Sequence, residues 1–99
     1  MKFWMKIHRF KDEKIVGICD ENLVGKKLMF NDIEIVINEK FYKGELVDSE
    51  KVKKEISDAT IINAFGENSI SLLKETGFIS ENNILYVEGV PHAQFAKIK

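Results

Sequence analysis

The sequence contains one cysteine, one proline and no long apolar run, and these scarcities exclude several classes of protein. A single cysteine cannot form an intramolecular disulfide, which excludes the cross-linked frameworks of small secreted domains. No apolar run reaches the roughly 18 residues of a membrane-spanning helix. The first residues alternate between apolar and polar, which is typical of a strand and not of a signal peptide. We therefore expect a cytoplasmic protein with no membrane partner.

Residues that hold metals and cofactors are also scarce. Two histidines and one cysteine without close spacing do not favour a zinc site, so we expect no metal. The chain has neither a phosphate-binding P-loop nor a dinucleotide-binding glycine motif, so we expect no cofactor. Cys19 is followed by Asp20 and Glu21, and these acids would raise the pKa of its thiol. We interpret Cys19 as structural.

The net charge of -1 and the isoelectric point near 6.1 argue against a dedicated duplex-binding protein, which usually carries a basic excess. A length of 99 residues with 44% hydrophobic content predicts one globular domain over residues 1–99.

Hydrophobic periodicity divides the chain into short strands and two helices. Alternating residues predict strands over 3–10 and 15–19 in an antiparallel hairpin, then a helical turn over 20–25 and a strand in which Ile33, Ile35 and Ile37 share a face. The remaining elements are a loop over 41–44, a helix from Asp48 or Ser49, a strand over 60–65, a helix after Gly66 that stops at Gly77, a strand over 84–88 and a terminal strand over 93–98.

The order β-β-β-α-β-α-β predicts an α+β fold, a two-layer α/β sandwich whose mixed sheet carries both helices on one face. The two strand–helix–strand units imply parallel pairing, with the strand over 84–88 beside the strand over 60–65. Apolar residues on both faces of these strands indicate that the second face is also covered. The segment 20–32 with its Leu28-Met29-Phe30 run would cover that face, or a second subunit would do so in a homodimer.

Rare residue types crowd together near the end of the chain, where the only proline, one of the two histidines and the only glutamine fall within Gly89–Gln94. In open sheets, ligands bind outside the carboxyl ends of parallel strands, where a helix N-terminus offers free N–H groups to an anion. We expect the following ligand-binding candidates to converge there: Asn63, Gly66, Glu67, His92 and Gln94. The alternative is that Gly66 only makes a turn, and that Asn63 and His92 satisfy buried backbone groups.

Two other features could contribute to binding. Phe41, Tyr42 and Lys43 lie in a predicted loop, where they would stack on a nucleobase or contact a partner surface, or else fold back and cap the core. His8 shares the Trp4 and Lys6 face of the first strand, and we expect it to be exposed without a role.

Several short segments identify a resemblance that covers the whole chain. They are Cys19-Asp20-Glu21 with Leu23 and Gly25-Lys26, Phe41-Tyr42 with Gly44, Ala59 to Asn63 with Gly66-Glu67, and Gly89-Val90-Pro91-His92-Ala93-Gln94. On these motifs the chain resembles a family of small archaeal proteins of about one hundred residues classed as a domain of unknown function. The resemblance implies an archaeal, cytoplasmic α+β protein and carries over no catalytic residue.

Small size and the absence of catalytic motifs favour a binding or interaction module with a protein or RNA partner, accessory to translation or RNA metabolism. The alternative is a small enzyme or anion-binding protein that uses a pocket around His92 and Asn63. Whether the protein is an enzyme stays open at this point.

Overall fold

A mixed sheet with its two longer helices on one face forms the frame of the protein in a computed structural model that describes residues 1–98. The strands are β1 Phe3–Phe10, β2 Glu13–Asp20, β3 Lys27–Phe30, β4 Ile33–Val36, β5 Glu45–Val47, β6 Ile61–Phe65, β7 Leu85–Val87 and β8 Val90–Ala96. The helices are α1 Glu39–Tyr42, α2 Ser49–Ile56 and α3 Glu67–Glu75, and a 3₁₀ turn spans Glu81–Asn83.

Six strands form the main sheet in the order β5-β1-β2-β6-β8-β7, and β3 pairs with β4 in a separate two-stranded sheet. Within the main sheet β2 and β6 are parallel, and the other neighbouring pairs are antiparallel. The predicted α+β class, the mixed sheet and the N-terminal hairpin of β1 and β2 are therefore confirmed.

The expected parallel pairing of the strand over 84–88 with the strand over 60–65 is wrong. β8 lies between β6 and β7 and is antiparallel to both. The cause is a two-residue turn at Glu88 and Gly89, whose φ angles of 48° and 79° suit the type I′ turns that close tight hairpins. β8 therefore folds back along β7 instead of leaving the sheet.

The prediction that Ile33, Ile35 and Ile37 belong to a third strand of the main sheet is also wrong. Its isoleucines lie in β4 and just after it, and β4 pairs with β3 outside the main sheet. Burial rises along their shared face, from Ile33 at 63% exposed through half-buried Ile35 to fully buried Ile37. β4 therefore approaches the core towards its C-terminal end.

The expected loop over 41–44 begins instead in a one-turn helix, α1. The side chain of Asn38 caps it by accepting hydrogen bonds from the backbone N–H groups of Lys40 and Phe41, at 2.7 and 3.3 Å. A short edge strand, β5, follows and pairs with β1. Neither element is long enough to show a hydrophobic period, which is why the sequence pattern does not predict them.

Both longer helices begin where the sequence predicts, and α3 also ends where it predicts, whereas α2 ends at Ile56, before Ala59, which the sequence pattern places on the same helix. Asp48 accepts a hydrogen bond from the Lys51 N–H at 2.9 Å and caps α2. After α3, Gly77 has a φ of 84° and the Phe78 N–H bonds the Leu73 carbonyl at 2.9 Å, as in a Schellman motif. The core under these helices includes Phe3, Val16, Ile18, Val52, Ile56, Ile62, Ile70, Leu72 and Leu73.

The second face of the sheet is covered by the segment between β2 and β5, as one of the two sequence alternatives predicts. Leu28 of β3 is 8% exposed and packs in one cluster with Cys19, Phe65 and Val87, which belong to three strands of the main sheet. Phe30 packs against the same cluster, whereas Met29 points outward and is exposed.

The position of α1 depends on a glycine in the middle of β2. A Cβ atom added at Gly17 would lie 2.8 Å from both Cε2 and the carbonyl oxygen of Phe41, far closer than two such atoms approach in proteins. A glycine inside a strand commonly marks such a close approach. The lack of a side chain at Gly17 therefore lets α1 rest directly on the sheet.

We expect Gly17→Ala to destabilise the fold by about 1–3 kcal/mol, because the added methyl group must push Phe41 and α1 away from the sheet. Urea unfolding measures this loss. The double variant with Phe41→Leu should lose less stability than the sum of the two single variants, because a smaller side chain leaves part of the space that the methyl group needs. Strict additivity would contradict the contact described here.

Candidate functional site

Three of the predicted site residues share the sheet face opposite α2 and α3. Asn63 of β6 lies directly across from Gln94 of β8, and Phe65 lies across from His92. The N–H of Gly66 donates a hydrogen bond to the Pro91 carbonyl at 2.9 Å, so Gly66 also lies beside this pair of strands. The predicted proximity of Asn63, Gly66 and His92 is confirmed, although antiparallel pairing produces it and not the shared end of parallel strands.

A cleft of about 640 Å³ opens between this part of the sheet and the segment that covers the rest of the face. Its floor consists of Asn63, Phe65, His92 and Gln94. The other wall is formed by β4 and α1, which includes Lys40, together with His8 of β1. Among the described residues 1–98, no carboxylate lines the cleft, which offers neutral polar groups, aromatic surface and one ammonium group.

The wall formed by α1 is held to β1 by two side chains. The ammonium of Lys6 donates a hydrogen bond to the carbonyl of Lys40 at 2.8 Å, and Nε2 of His8 lies 2.9 Å from the carbonyl of Phe41. The rings of His8 and Phe41 stack with centroids 4.7 Å apart. The expectation that His8 is exposed without a role is therefore wrong, because it is half-buried and lines the cleft.

The three surface-interaction candidates have different environments. Tyr42 is buried, and its ring meets that of Phe65 edge-on with centroids 5.9 Å apart, so it packs on the core as the second alternative predicts and also lines the cleft. Phe41 is half-buried and forms part of the cleft wall. Lys43 is exposed, and its ammonium lies 5.4 Å from the centre of the Trp4 ring in a cation–π contact.

His92 is fixed in orientation by two contacts. Its Nδ1 lies 2.8 Å from the carbonyl of Ala64, and its ring stacks on Phe65 with centroids 4.1 Å apart. A carbonyl oxygen only accepts hydrogen bonds, so Nδ1 carries the proton and Nε2 of the neutral ring has a free lone pair. Burial lowers the pKa of His92 below its ordinary value, and the hydrogen bond to Ala64 opposes this effect in part.

Asn63 is the one residue of the floor with an unsatisfied buried atom. Its Oδ1 is inaccessible to solvent and accepts no hydrogen bond from any residue in the range 1–98. Most buried polar side-chain atoms in proteins have a partner, so each exception needs an explanation. The alternative from the sequence is that Asn63 satisfies a buried backbone group. Its Oδ1 does not do so.

The N-terminus of α3 lies beside a groove other than the cleft. Oδ1 and Oδ2 of Asp20 accept hydrogen bonds from the N–H groups of Ser69 and Asn68 at 2.8 and 3.0 Å, and the Ser69 hydroxyl adds another at 2.8 Å. Gly66 has a φ of 112°, and a Cβ atom there would lie 2.3 Å from Cγ of Asp20. An external anion would have to displace this carboxylate, so we assign Gly66 a structural role.

The structure thus separates the five ligand-binding candidates into two groups. Asn63, His92 and Gln94 line the cleft, whereas Gly66 and exposed Glu67 line a different groove beside Asp20. Ligand binding by any of the five stays a prediction.

Cys19 is fully buried, and its thiol lies 3.3 Å from the carbonyl of Asp20. Burial raises the pKa of the thiol to about 12, and the charge of Asp20 contributes to the increase. This agrees with the structural role expected from the sequence. Within residues 1–98, no three His, Cys, Asp or Glu side chains are placed to hold a metal ion together. None of the helices described is long and apolar enough to cross a membrane.

The sequence pattern does not predict that His8 and Lys40 line the cleft. The signal that could have revealed them is Gly17, because a glycine in an otherwise apolar strand indicates that another segment packs against the backbone there. The sequence alone does not say which segment that is.

A family model described as "Protein of unknown function (DUF424)" matches residues 8–98 of this chain. Among solved structures, the chain is similar to the crystal structure of an uncharacterized conserved protein from Methanopyrus kandleri, with 26% sequence identity and a TM-score of 0.82. That similarity covers 100% of this chain and 96% of the other. No curated protein sequence matches.

We expect Asp20→Ala to destabilise the fold by about 2 kcal/mol or more, because it removes a charged cap and leaves the first N–H groups of α3 without their acceptor. Urea unfolding gives the loss. Glu67→Ala is the matched control, since Glu67 is exposed in the same helical turn and should cost less than about 0.5 kcal/mol. Equal losses in the two variants would contradict the role given to Asp20.

The lowered pKa of His92 predicts a pH dependence of stability. The unfolded imidazole binds a proton more readily than the folded one, so protonation favours unfolding. The contribution of His92 is fully present above its ordinary pKa of about 6.5 and is lost as the pH falls through the lowered value. The free energy of unfolding should therefore fall more steeply below pH ~6.5 in the wild type than in His92→Gln. Identical slopes would contradict the assignment.

Proposed function

Because the chain belongs to the DUF424 family of proteins of unknown function, we propose a function from the site itself: the protein is a binding module whose cleft holds a small, neutral, planar ligand. The observation that carries this proposal is the cleft itself, whose floor combines the stacked rings of Phe65 and His92 with the carboxamides of Asn63 and Gln94.

The chemistry of the lining supports a neutral ligand. The carboxamides of Asn63 and Gln94 lie on directly opposed positions, and each carboxamide offers both an acceptor and two donors. Among residues 1–98 no carboxylate lines the cleft to attract a cation, and Lys40 is the one ammonium group. Lys40 is exposed, so water solvates its charge, and the less exposed part of the lining favours a ligand with its own donors and acceptors and no net charge.

Aromatic side chains support a planar ligand. Phe65 and His92 form a stacked pair on the floor, and Phe41 stands on the opposite wall. Flat rings offer large apolar contact areas and favour planar partners. The combination of aromatic walls with a few convergent polar groups is typical of small-molecule sites.

A small enzyme is the second candidate, and one observation favours it. The Ala64 carbonyl orients the ring of His92 and leaves Nε2 free, which is the arrangement of a general base. We rank this candidate second because the residues described as lining the cleft include no carboxylate and no hydroxyl or thiol nucleophile apart from the buried Tyr42. If the enzyme candidate is right, His92→Gln should keep ligand binding and lose turnover.

The wider role also belongs to this proposal. The sequence predicts a protein or RNA partner and a function accessory to translation or RNA metabolism. The sequence and the resemblance that it carries also predict an archaeal source and a cytoplasmic location. A homodimer is not needed to cover the second face of the sheet, because β3 packs on it within one chain.

Benzamide and benzoate form a matched pair of probes, since they have one shape and differ in charge. We expect benzamide to shift the side-chain amide NMR resonances of Asn63 and Gln94, and we expect benzoate to shift them less. In Asn63→Ala the benzamide-induced shifts of Gln94 should shrink, whereas they should persist in Asn82→Ala, which changes an exposed asparagine outside the cleft.

Failure of benzamide to shift either side-chain amide would overturn the proposal. Stronger shifts with benzoate would favour the anion-binding alternative instead.

A further inference from the structure

A second, smaller groove of about 350 Å³ adjoins the cleft on the side of the edge strand β7. This outer groove is lined by Asn83, Leu85, His92, Ala93 and Gln94. His92 and Gln94 also line the cleft, so the two cavities share one boundary. A ligand in the cleft that extends past these two residues therefore enters the outer groove.

The register of the strands sets the distance between the two cavities. Phe65, His92 and Leu85 are cross-strand neighbours on β6, β8 and β7, so they form a row on one face of the sheet. Neighbouring strands lie about 4.8 Å apart, which places Leu85 roughly 10 Å from Phe65 with His92 between them. A planar ring beside Phe65 and a second group beside Leu85 can thus belong to one small molecule.

Leu85 is an apolar side chain that the covering layer leaves open. Val87, two positions further along β7, shares its face of the sheet and is fully buried in the cluster that contains Leu28. Leu85 itself is 45% exposed. The apolar part of the outer groove is therefore a leucine that the fold does not bury.

The polar part of the outer groove is uncharged. Within the described range 1–98, no carboxylate, ammonium or guanidinium group lines it, and its polar side chains are those of Asn83, His92 and Gln94. Burial lowers the pKa of His92, so its ring is neutral at neutral pH. A charged group would lose hydration there without gaining an ion pair, whereas an aliphatic group gains contact with Leu85.

Resting on the proposed function, we infer that the outer groove is a second subsite for the same ligand, and that it takes an uncharged aliphatic group. The ligand class is a planar aromatic ring joined to a branched aliphatic group through a short, uncharged polar linker. The linker passes Gln94, whose carboxamide offers both an acceptor and donors, so an amide in the linker complements it.

N-isobutylbenzamide and N-methylbenzamide test the inference, because they share the ring and the secondary amide and differ only in the size of the alkyl group. Dissociation constants are measured by NMR titration at neutral pH. We expect the isobutyl compound to bind about fivefold more tightly or better, which corresponds to about 1 kcal/mol of apolar contact. Equal dissociation constants would overturn the inference.

Leu85→Ala and Leu46→Ala form a matched pair of variants. Both leucines are exposed, at 45% and 40%, and they lie on the opposite edge strands β7 and β5. In Leu85→Ala the two compounds should bind within about twofold of each other, whereas Leu46→Ala should keep the wild-type difference. Urea unfolding checks that both variants are folded. An unchanged preference in folded Leu85→Ala would contradict a subsite at this residue.

Nuclear Overhauser contacts locate the alkyl group directly. The methyl groups of N-isobutylbenzamide should contact the methyl groups of Leu85, while its ring protons contact Phe65 or His92. An isobutyl group that contacts other residues and not Leu85 would overturn the inference.

The two proposals fail in different ways. If benzamide shifts the cleft resonances and the two N-alkyl compounds bind equally, the second subsite is wrong and the binding cleft stands. If benzamide leaves the side-chain amides of Asn63 and Gln94 unshifted, the proposed function is wrong and the second subsite with it.

Discussion

The contact between Phe41 and the bare backbone of Gly17 is the constraint on which the second layer of this protein depends. Because β2 has no side chain at that point, α1 lies against the sheet, where Lys6 and His8 bind its carbonyl groups. The hairpin of β3 and β4 is tied to the same layer and buries Leu28 over the far end of the sheet. Beside α1 and β4 the face stays partly open, and that opening is the cleft.

The elements that the sequence predicts correctly are those with a local signal. The period of Val52 and Ile56, the cap at Asp48 and the stop at Gly77 each lie within one or two turns of α2 or α3. The pairing of β8 between β6 and β7 is non-local. The strand–helix–strand rule is right that β6 and β7 run in the same direction, but it does not say that a later strand will separate them.

The candidate site shows the same division. Asn63, His92 and Gln94 are predictable because rare polar residues follow or interrupt apolar strands near the end of the chain. His8 and Lys40 are not, because their place in the cleft depends on where a one-turn helix rests. At the predicted anion site, the N-terminus of α3, the Asn68 N–H already donates a hydrogen bond to Asp20, which lies 48 residues earlier in the chain. Because Asp20 is so distant in the sequence, no local pattern around Gly66 predicts its position there.

Urea unfolding of Asn63→Leu without ligand tests most directly whether the carboxamide of Asn63 serves ligand binding and not the fold. Leucine has nearly the same shape and removes the unsatisfied acceptor. We predict that the variant is at least as stable as the wild type, by up to about 1 kcal/mol, since an apolar group of the same shape replaces a buried polar atom that has no partner. A loss of about 2 kcal/mol or more would show that Asn63 makes hydrogen bonds that the fold requires, and it would contradict the account.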